Sequence, residues 1–321
     1  MMNMTSVAEA KVYTVSLRAG IRKTPEFAKK GLATHSVNVG LLCGHGCRYC
    51  STPAMVRAHN AFREMRLSAF TEGMAVVDPY APERVRREVG RLREGDVVQM
   101  CTITDAWAPE ALELNLGRQC LEILLRESPC LVRVLTKNAA VEEDFDLMEE
   151  FRDRVLLGLS LTAPPSRAAS VQVVEPFASP VPERVRVMEE AVRRRLRVYG
   201  MVCPCLPGVL DDEGGLCEVA DVLRRLGPEE VFLEPVNPRG RGLVRTEEAF
   251  RAANMPLLAN AAGSIRRRAA WSSYARALIE TAEAVFANYA ARHRLRILLY
   301  PSGLRDEDRE SLKKCSSVVW L

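Results

Sequence analysis

The chain has 321 residues, 48% hydrophobic and 27% charged, with a formal net charge of +4. That make-up is too apolar for a disordered chain, and too evenly charged for charge alone to argue a nucleic-acid partner. The N-terminal stretch "MMNMTSVAEAKVYTV" lacks a basic-then-apolar leader, and no window reaches the roughly 18 apolar residues of a membrane helix, so a cytoplasmic chain with reduced thiols and no membrane partner is expected.

Short apolar runs alternate with amphipathic stretches along the chain. The first run, 35–42, leads straight into Cys43, Cys47 and Cys50 and then into a long connection, 51–80, of a length that is usually functional. A helical period over 81–93 carries Pro82 in its first turn. Runs at 96–101, 130–136, 155–162 and 196–204 precede helical periods at 111–127, 141–153, 180–195 and 214–227, the last ending at Gly227 as a C-cap, and a run at 229–236 completes the series. Such runs of Val, Leu and Ile are what parallel strands covered on both faces look like, and repeated βα units imply right-handed crossovers.

Six units are too few for a closed eight-unit barrel. The expected fold class is α/β, a partial, open (β/α)6 TIM-like barrel over about 35–240 with a C-terminal helical extension over about 241–321. That extension holds a long helix, 272–295, and a further strand candidate, 296–304. Nothing reads as a linker, so 1–321 is expected to be a single domain. Basic runs at 84–93, 193–198 and 265–268 read as solvated helix faces, with a phosphate-rich partner as the alternative.

In parallel α/β barrels the reactive groups collect at the C-terminal ends of the strands, where the cysteine loop falls. The spacing C-x3-C-x2-C is one ligand short of a closed zinc site unless His45 or His59 joins it, and no second cysteine pair follows at zinc-finger spacing. Three thiolates suit a [4Fe–4S] cluster tied down at three irons with the fourth open, and Gly44 and Gly46 let the loop wind closely around such a core. Two alternatives stand beside this reading: a zinc-stapled binding module, and a cluster protein that senses redox state without turnover.

The stretch "CGHGCRYC" directly after a strand resembles the motif of the radical S-adenosylmethionine (SAM) superfamily, over roughly residues 35–240. The resemblance implies a [4Fe–4S] cluster on Cys43, Cys47 and Cys50, with SAM held at the open iron. It also implies reductive cleavage to a 5′-deoxyadenosyl radical that abstracts hydrogen from a substrate, a flavodoxin- or ferredoxin-like electron donor, and oxygen-sensitive chemistry. Tyr49, before the third cysteine, matches an aromatic position near the adenine.

Five further stretches resemble, in order, the spore photoproduct lyase-like (DNA repair photolyase-like) branch: "CTITDAWAPE" (101–110), "VRVLTKN" (132–138), "LGLSLTA" (157–163), "VEPFASPVPERV" (174–185) and "VCPCLPGVLDD" (202–212). In spore photoproduct lyase itself a thiol after the second strand returns hydrogen to the product radical, and Cys101 matches it, although the lyase motif has one residue fewer between Thr and Asp and much of the wider branch lacks this cysteine. A small buried hydrophobe is the competing reading of Cys101.

The resemblance makes a DNA lesion one substrate class. An aromatic content of 6% and the lack of a visible wedge leave a peptide or small molecule equally open. Lys137, Ser160 and Arg184 are candidates for the charged and hydroxyl contacts SAM needs, and Thr104 and Asp105 for further cofactor contacts, with helix capping as the alternative for Asp105. Glu234, Asn237 and Arg239 end the sixth strand without an assigned role. Cys203 and Cys205 read first as packing residues, and otherwise as radical-assisting groups or an auxiliary metal site with Cys217.

Overall fold

The computed structural model describes residues 10–287 and 295–321. Its spine is a series of parallel strands: β1 (His35–Val37), β2 (Val97–Met100), β3 (Leu131–Thr136), β4 (Val155–Leu159), β5 (Arg197–Val198, resuming as Gly200–Cys205), β6 (Val231–Pro235), β7 (Leu295–Leu299) and β8 (Val318–Trp320). Each pairs with the next, as in His35 with Val98, Val98 with Val132, Val132 with Val155, and Leu156 with Arg197. A bridge from Ser160 to Met201 carries the order past the break in β5, and Gly200–Val231, Val231–Leu295 and Ile297–Val318 complete it. Arg22–Lys23 adds an antiparallel edge beside β1.

Between the strands lie α1 (Ala81–Glu88), α2 (Leu116–Glu127), α3 (Phe145–Glu150), α4 (Val181–Arg193), α5 (Glu213–Leu226), α6 (Gly242–Ala252), α7 (Pro256–Ser264), α8 (Arg268–Phe286) and α9 (Asp306–Leu312). Local chemistry sets their ends. Asp212 caps α5 by accepting from the Gly215 N–H at 2.8 Å, and Gly227 closes it in the left-handed conformation, φ +59°. The buried stripe of α2, Leu116, Cys120, Leu121, Ile123 and Leu124, has the three- and four-residue spacing that turns one helix face to the strands.

The strands are less uniformly apolar than their runs imply. In β3, Val132 and Val134 are buried against the helix layer, while Arg133, Leu135 and then Lys137 line a cavity that Thr136, buried at the strand end, also reaches. Strand periodicity of two repeats this in β2 (Gln99, Cys101), β5 (Tyr199, Met201, Cys203), β6 (Phe232, Glu234) and β7 (Leu298, then Tyr300). Phe27 and Leu32, from the segment before β1, pack with Tyr199, Met201, Phe232, Leu298 and Leu321 as an apolar floor. Arg133 stacks over both Tyr199 and Phe232, 5.3 Å from each ring centre, and pairs with Glu230, so its charge is balanced beneath that floor.

Three expectations are corrected. The run 35–42 is two strands, because Gly40–Leu42 leaves β1 to pair antiparallel with Met74–Val77, which itself runs parallel to Lys11–Thr14. The connection 51–80 therefore holds a strand. The C-terminal extension holds the expected strand as β7 and, beyond the expectation, a second strand, β8; both prolong the parallel order. Residues 288–294 of the expected long helix lie outside the described residues. Among the described residues, no helix is long and apolar enough to cross a membrane.

Gly158 shows how tightly the inner face is built: a Cβ there would sit 2.6 Å from Tyr199 Cζ, so the ring lies directly on the β4 backbone. Gly158→Ala is expected to cost about 1–3 kcal/mol through overpacking, read as a lowered urea midpoint with an unchanged slope.

Candidate functional site

The loop after Gly40–Leu42 places Cys43, Cys47 and Cys50 on the wall of a cavity of about 320 Å³, at the C-terminal ends of the strands. All three thiols are free and half-buried. Burial pushes Cys43 well above the ordinary thiol range, and the nearby Cys50, Cys47, Glu110 and Asp105 push it further. Among the described residues no three His, Cys, Asp or Glu side chains converge on a single ion position.

The loop is held from below by two acids. Glu110 accepts the Gly44 N–H with both carboxylate oxygens at 3.0 Å, and a Cβ on Gly44 would lie 2.4 Å from Glu110 Oε2. Gly46 turns the chain at φ +65°. His45, buried, meets Asp105 Oδ2 through Nε2 at 2.9 Å and the Phe177 carbonyl through Nδ1 at 3.2 Å.

Asp105 also accepts from Thr136 Oγ1 (2.8 and 2.9 Å), the Lys137 N–H (2.9 Å) and the Trp107 N–H (2.9 Å). Burial raises its pKa, but His45 and the backbone donors outweigh that and hold the carboxyl below its ordinary 3.8. Expected as a cofactor contact, Asp105 lines the cavity and also ties the cysteine loop to the ends of β2 and β3. Asn38 adds a second tie, its Oδ1 accepting the Thr102 and Ile103 N–H groups at 2.8 and 3.0 Å.

A second buried network stands behind Tyr49. Its hydroxyl donates to Glu175, which also accepts from Thr162 Oγ1 at 3.0 Å and pairs with Arg184. Arg184 differs from its expected place at the cofactor: it is fully buried, absent from the cavity wall, and spends its nitrogens on Glu175, Thr162 Oγ1 and the Ser160 and Ser179 carbonyls. Lys137 does face the cavity, its Nζ 6.0 Å from the Tyr49 ring centre. Burial disfavours its charge, but Glu175 and the Cys47 and Cys203 thiols outweigh this and raise its pKa.

Ser160, Thr104, Tyr49 and Cys101 also line the cavity. The buried Thr104 hydroxyl lies beside the Cys101 thiol without a full hydrogen bond, and burial pushes the Cys101 pKa up to about 12, so this group is a protonated thiol at neutral pH. Cys203 and Glu234 face the same space, whereas Cys205 is absent from the wall and buried, its thiol toward the Val202 carbonyl at 3.7 Å, and Cys217 is exposed. The structure does not gather Cys203, Cys205 and Cys217. Glu110 and Glu175 were the unassigned members of the site. Their signal was an acid inside each of two family-like stretches, 101–110 and 174–185.

The parallel strand series is a fold shared with solved structures of spore photoproduct lyase. The lyase complexed with dinucleoside spore photoproduct matches with a TM-score of 0.60 over 88% of this chain and 81% of the lyase, at 12% identity. A double mutant with bound AdoMet and the dinucleoside gives 0.55 over 82% and 76%, also at 12% identity. The relationship expected from the motifs is thus present as a shared fold. No family model matches the chain. A curated relative, the uncharacterized protein ORF301 of Acidianus two-tailed virus, is 27% identical over 221 residues, covering 65% of this chain and 69% of its own length.

Removing the Asp105 carboxylate leaves His45 and the Lys137 and Trp107 N–H groups without their acceptor. Asp105→Ala is expected to cost about 3–5 kcal/mol in urea unfolding and to speed labelling of Cys43 and Cys47 by a thiol reagent. With the folded carboxyl below 3.8, the advantage over Asp105→Asn is present above that pH and fades as pH falls through the lower folded-state value. Acid titration of both proteins measures it.

Proposed function

We propose that the chain is a radical SAM enzyme whose Cys43, Cys47 and Cys50 hold a [4Fe–4S] cluster. The observation that carries this is the arrangement of the thiols. A structural zinc site is closed by four protein ligands, whereas a cluster tied down by three thiolates keeps one iron open. Three cysteines, one short of a closed zinc site, stand together on the wall of an open cavity at the strand ends, which supports a cluster with room for a ligand at its fourth iron over the zinc-stapled module. The shared fold with spore photoproduct lyase supports the same reading. The strand series from β1 to β6 then serves as an open (β/α)6 barrel, and the chain works as one domain.

Each wall residue has a task in this reading. Lys137, kept charged by Glu175, supplies the cation that the SAM carboxylate needs, and Ser160 and Thr104 offer hydroxyls to its polar groups. Tyr49, fixed through Glu175, presents its ring beside the adenine. Bound together, the cluster and SAM supply a one-electron reductive cleavage that yields a primary carbon radical. Cys101, protonated and on the wall, is positioned to return a hydrogen atom to a substrate radical.

The substrate is an organic molecule bearing an abstractable hydrogen. A DNA photoproduct is the first class to try and a peptide the second. A flavodoxin- or ferredoxin-like donor in a reducing cytoplasm supplies the electron.

Anaerobic protein reconstituted with iron and sulfide, then given SAM and dithionite, is expected to form 5′-deoxyadenosine. Cys47→Ala should abolish both the product and the cluster absorbance. One tightly held zinc with no 5′-deoxyadenosine would sink the proposal, and iron with sulfide but no product would favour a sensor.

A further inference from the structure

Two thiols outside the cysteine loop face the cavity, and they lie on different strands. Cys101 ends β2, and Cys203 belongs to β5, with β3 and β4 between them in the strand order. Only Cys203 is paired with an acid: its thiol donates to Glu234 Oε2 of the neighbouring strand β6 at 3.3 Å. Cys205, two residues on, is absent from the wall and packs into the core, so the C-x-C pair divides its work between packing and cavity.

The groups around this pair are few and specific. Lys137 approaches from β3, Arg239 from the loop after β6, and Tyr300 from the end of β7, where Arg239 lies 4.4 Å from the Tyr300 ring centre. Burial raises the Glu234 carboxyl to about 7, and burial together with Glu234 pushes the Cys203 thiol well above the ordinary range. Cys203 is therefore a poor nucleophile, since nucleophilic attack requires the thiolate. What the half-buried, protonated S–H retains is a weak bond to hydrogen, directed by its acceptor.

We propose that Cys203 is a second hydrogen-atom donor to carbon radicals in this cavity, held in position by Glu234, on a different part of the wall from Cys101. In the step, the Cys203 S–H bond breaks homolytically and a C–H bond forms. The carbon radical is reduced and the thiol oxidised to a thiyl by transfer of one hydrogen atom. A diffusible thiol then returns hydrogen to Cys203 and is oxidised in its place. A radical lying between the donors can thus be quenched from either side, so the choice of thiol sets the face on which a prochiral carbon receives hydrogen. Cys203 acts on the reacting carbon, and Glu234 is a positioning residue.

The proposal rests on the radical SAM reading, and two measurements keep the fates of the two apart. The first uses SAM itself as the radical source: reconstituted protein, SAM and dithionite in D2O without added substrate, with deuterium at C5′ of 5′-deoxyadenosine read by mass spectrometry. Thiols exchange with solvent, so quenching by a thiol leaves deuterium. Cys203→Ser keeps a donor for Glu234 but replaces S–H by an O–H bond too strong to give hydrogen. It should lower the deuterated fraction roughly twofold where two donors share the quenching, and Cys101→Ser with Cys203→Ser should remove it. An unchanged fraction in Cys203→Ser, with all labelling lost in Cys101→Ser, would overturn the proposal. No 5′-deoxyadenosine from any variant would overturn the reading beneath it.

The second measurement needs neither cluster nor SAM. It follows alkylation of Cys203 by iodoacetamide in the apo protein at fixed pH, by peptide mass spectrometry. Glu234→Gln, which removes the charge opposing the thiolate, should speed it about tenfold, the change that one pKa unit makes in thiolate population. An equal rate in both proteins would show that Glu234 does not govern Cys203.

Discussion

A buried carboxylate needs donors in place of the water it has lost, and Asp105 finds them on three separate segments. His45 belongs to the cysteine loop, Trp107 to the turn after β2, and Thr136 and Lys137 to the end of β3. Satisfying one acid therefore fixes the loop against the ends of two strands in a single geometry. The alternative is an ionised group left unpaired in the interior, which costs several kcal/mol, about as much as many small domains hold in reserve. The positions of Cys43 and Cys47 relative to Lys137 follow from that constraint, since the backbone bond from Lys137 is itself one of the four ties.

The second network works differently, because its charges do not cancel. Glu175 stands between Arg184 and Lys137, with the neutral Tyr49 and Thr162 hydroxyls filling its remaining capacity. Arg184 is spent entirely on internal partners, so the surplus positive charge resides on Lys137, at the cavity. An anionic ligand group is what would balance it. This explains why Arg184, the residue with the more familiar anion-binding head group, stands behind the wall while the lysine stands in it.

Much of this architecture is legible in the chain. The βα alternation predicted the first parallel strands in the right order, because each run is bounded by an amphipathic helix with clear start and stop residues, such as Asp212 and Gly227. What misled was reading the runs as strands covered by helices on both faces. Gln99, Arg133 and Glu234 interrupt them and Lys137 follows one, and only the fold shows that these positions share a cavity. Short strands such as Met74–Val77 and β8 carry too few residues for any period to show. The loop cysteines were legible because their chemistry is local in sequence. Glu110 and Glu175 were not, nor was the tie that Asp105, itself a candidate, makes to the loop, because each role comes from a partner 60 or more residues away: His45 for Asp105, Gly44 for Glu110 and Tyr49 for Glu175.

The cysteines themselves show how position decides the use of one side chain. Cys120 and Cys130 point into the helix layer and serve as small apolar groups, and Cys217 is exposed on α5. Cys203 and Cys205 sit on the same strand two residues apart, where regular alternation would turn them to the same side. The register of β5 against β6 shifts between Val202 and Cys205, and that irregularity separates their faces. One thiol is thereby delivered to the cavity beside Glu234, and the other is sealed behind it against the Val202 carbonyl. A regular strand would place both thiols in the cavity or both in the core. The bulge is what allows β5 to contribute a single, acid-paired thiol, and it makes that contribution a property of the backbone as much as of the residue.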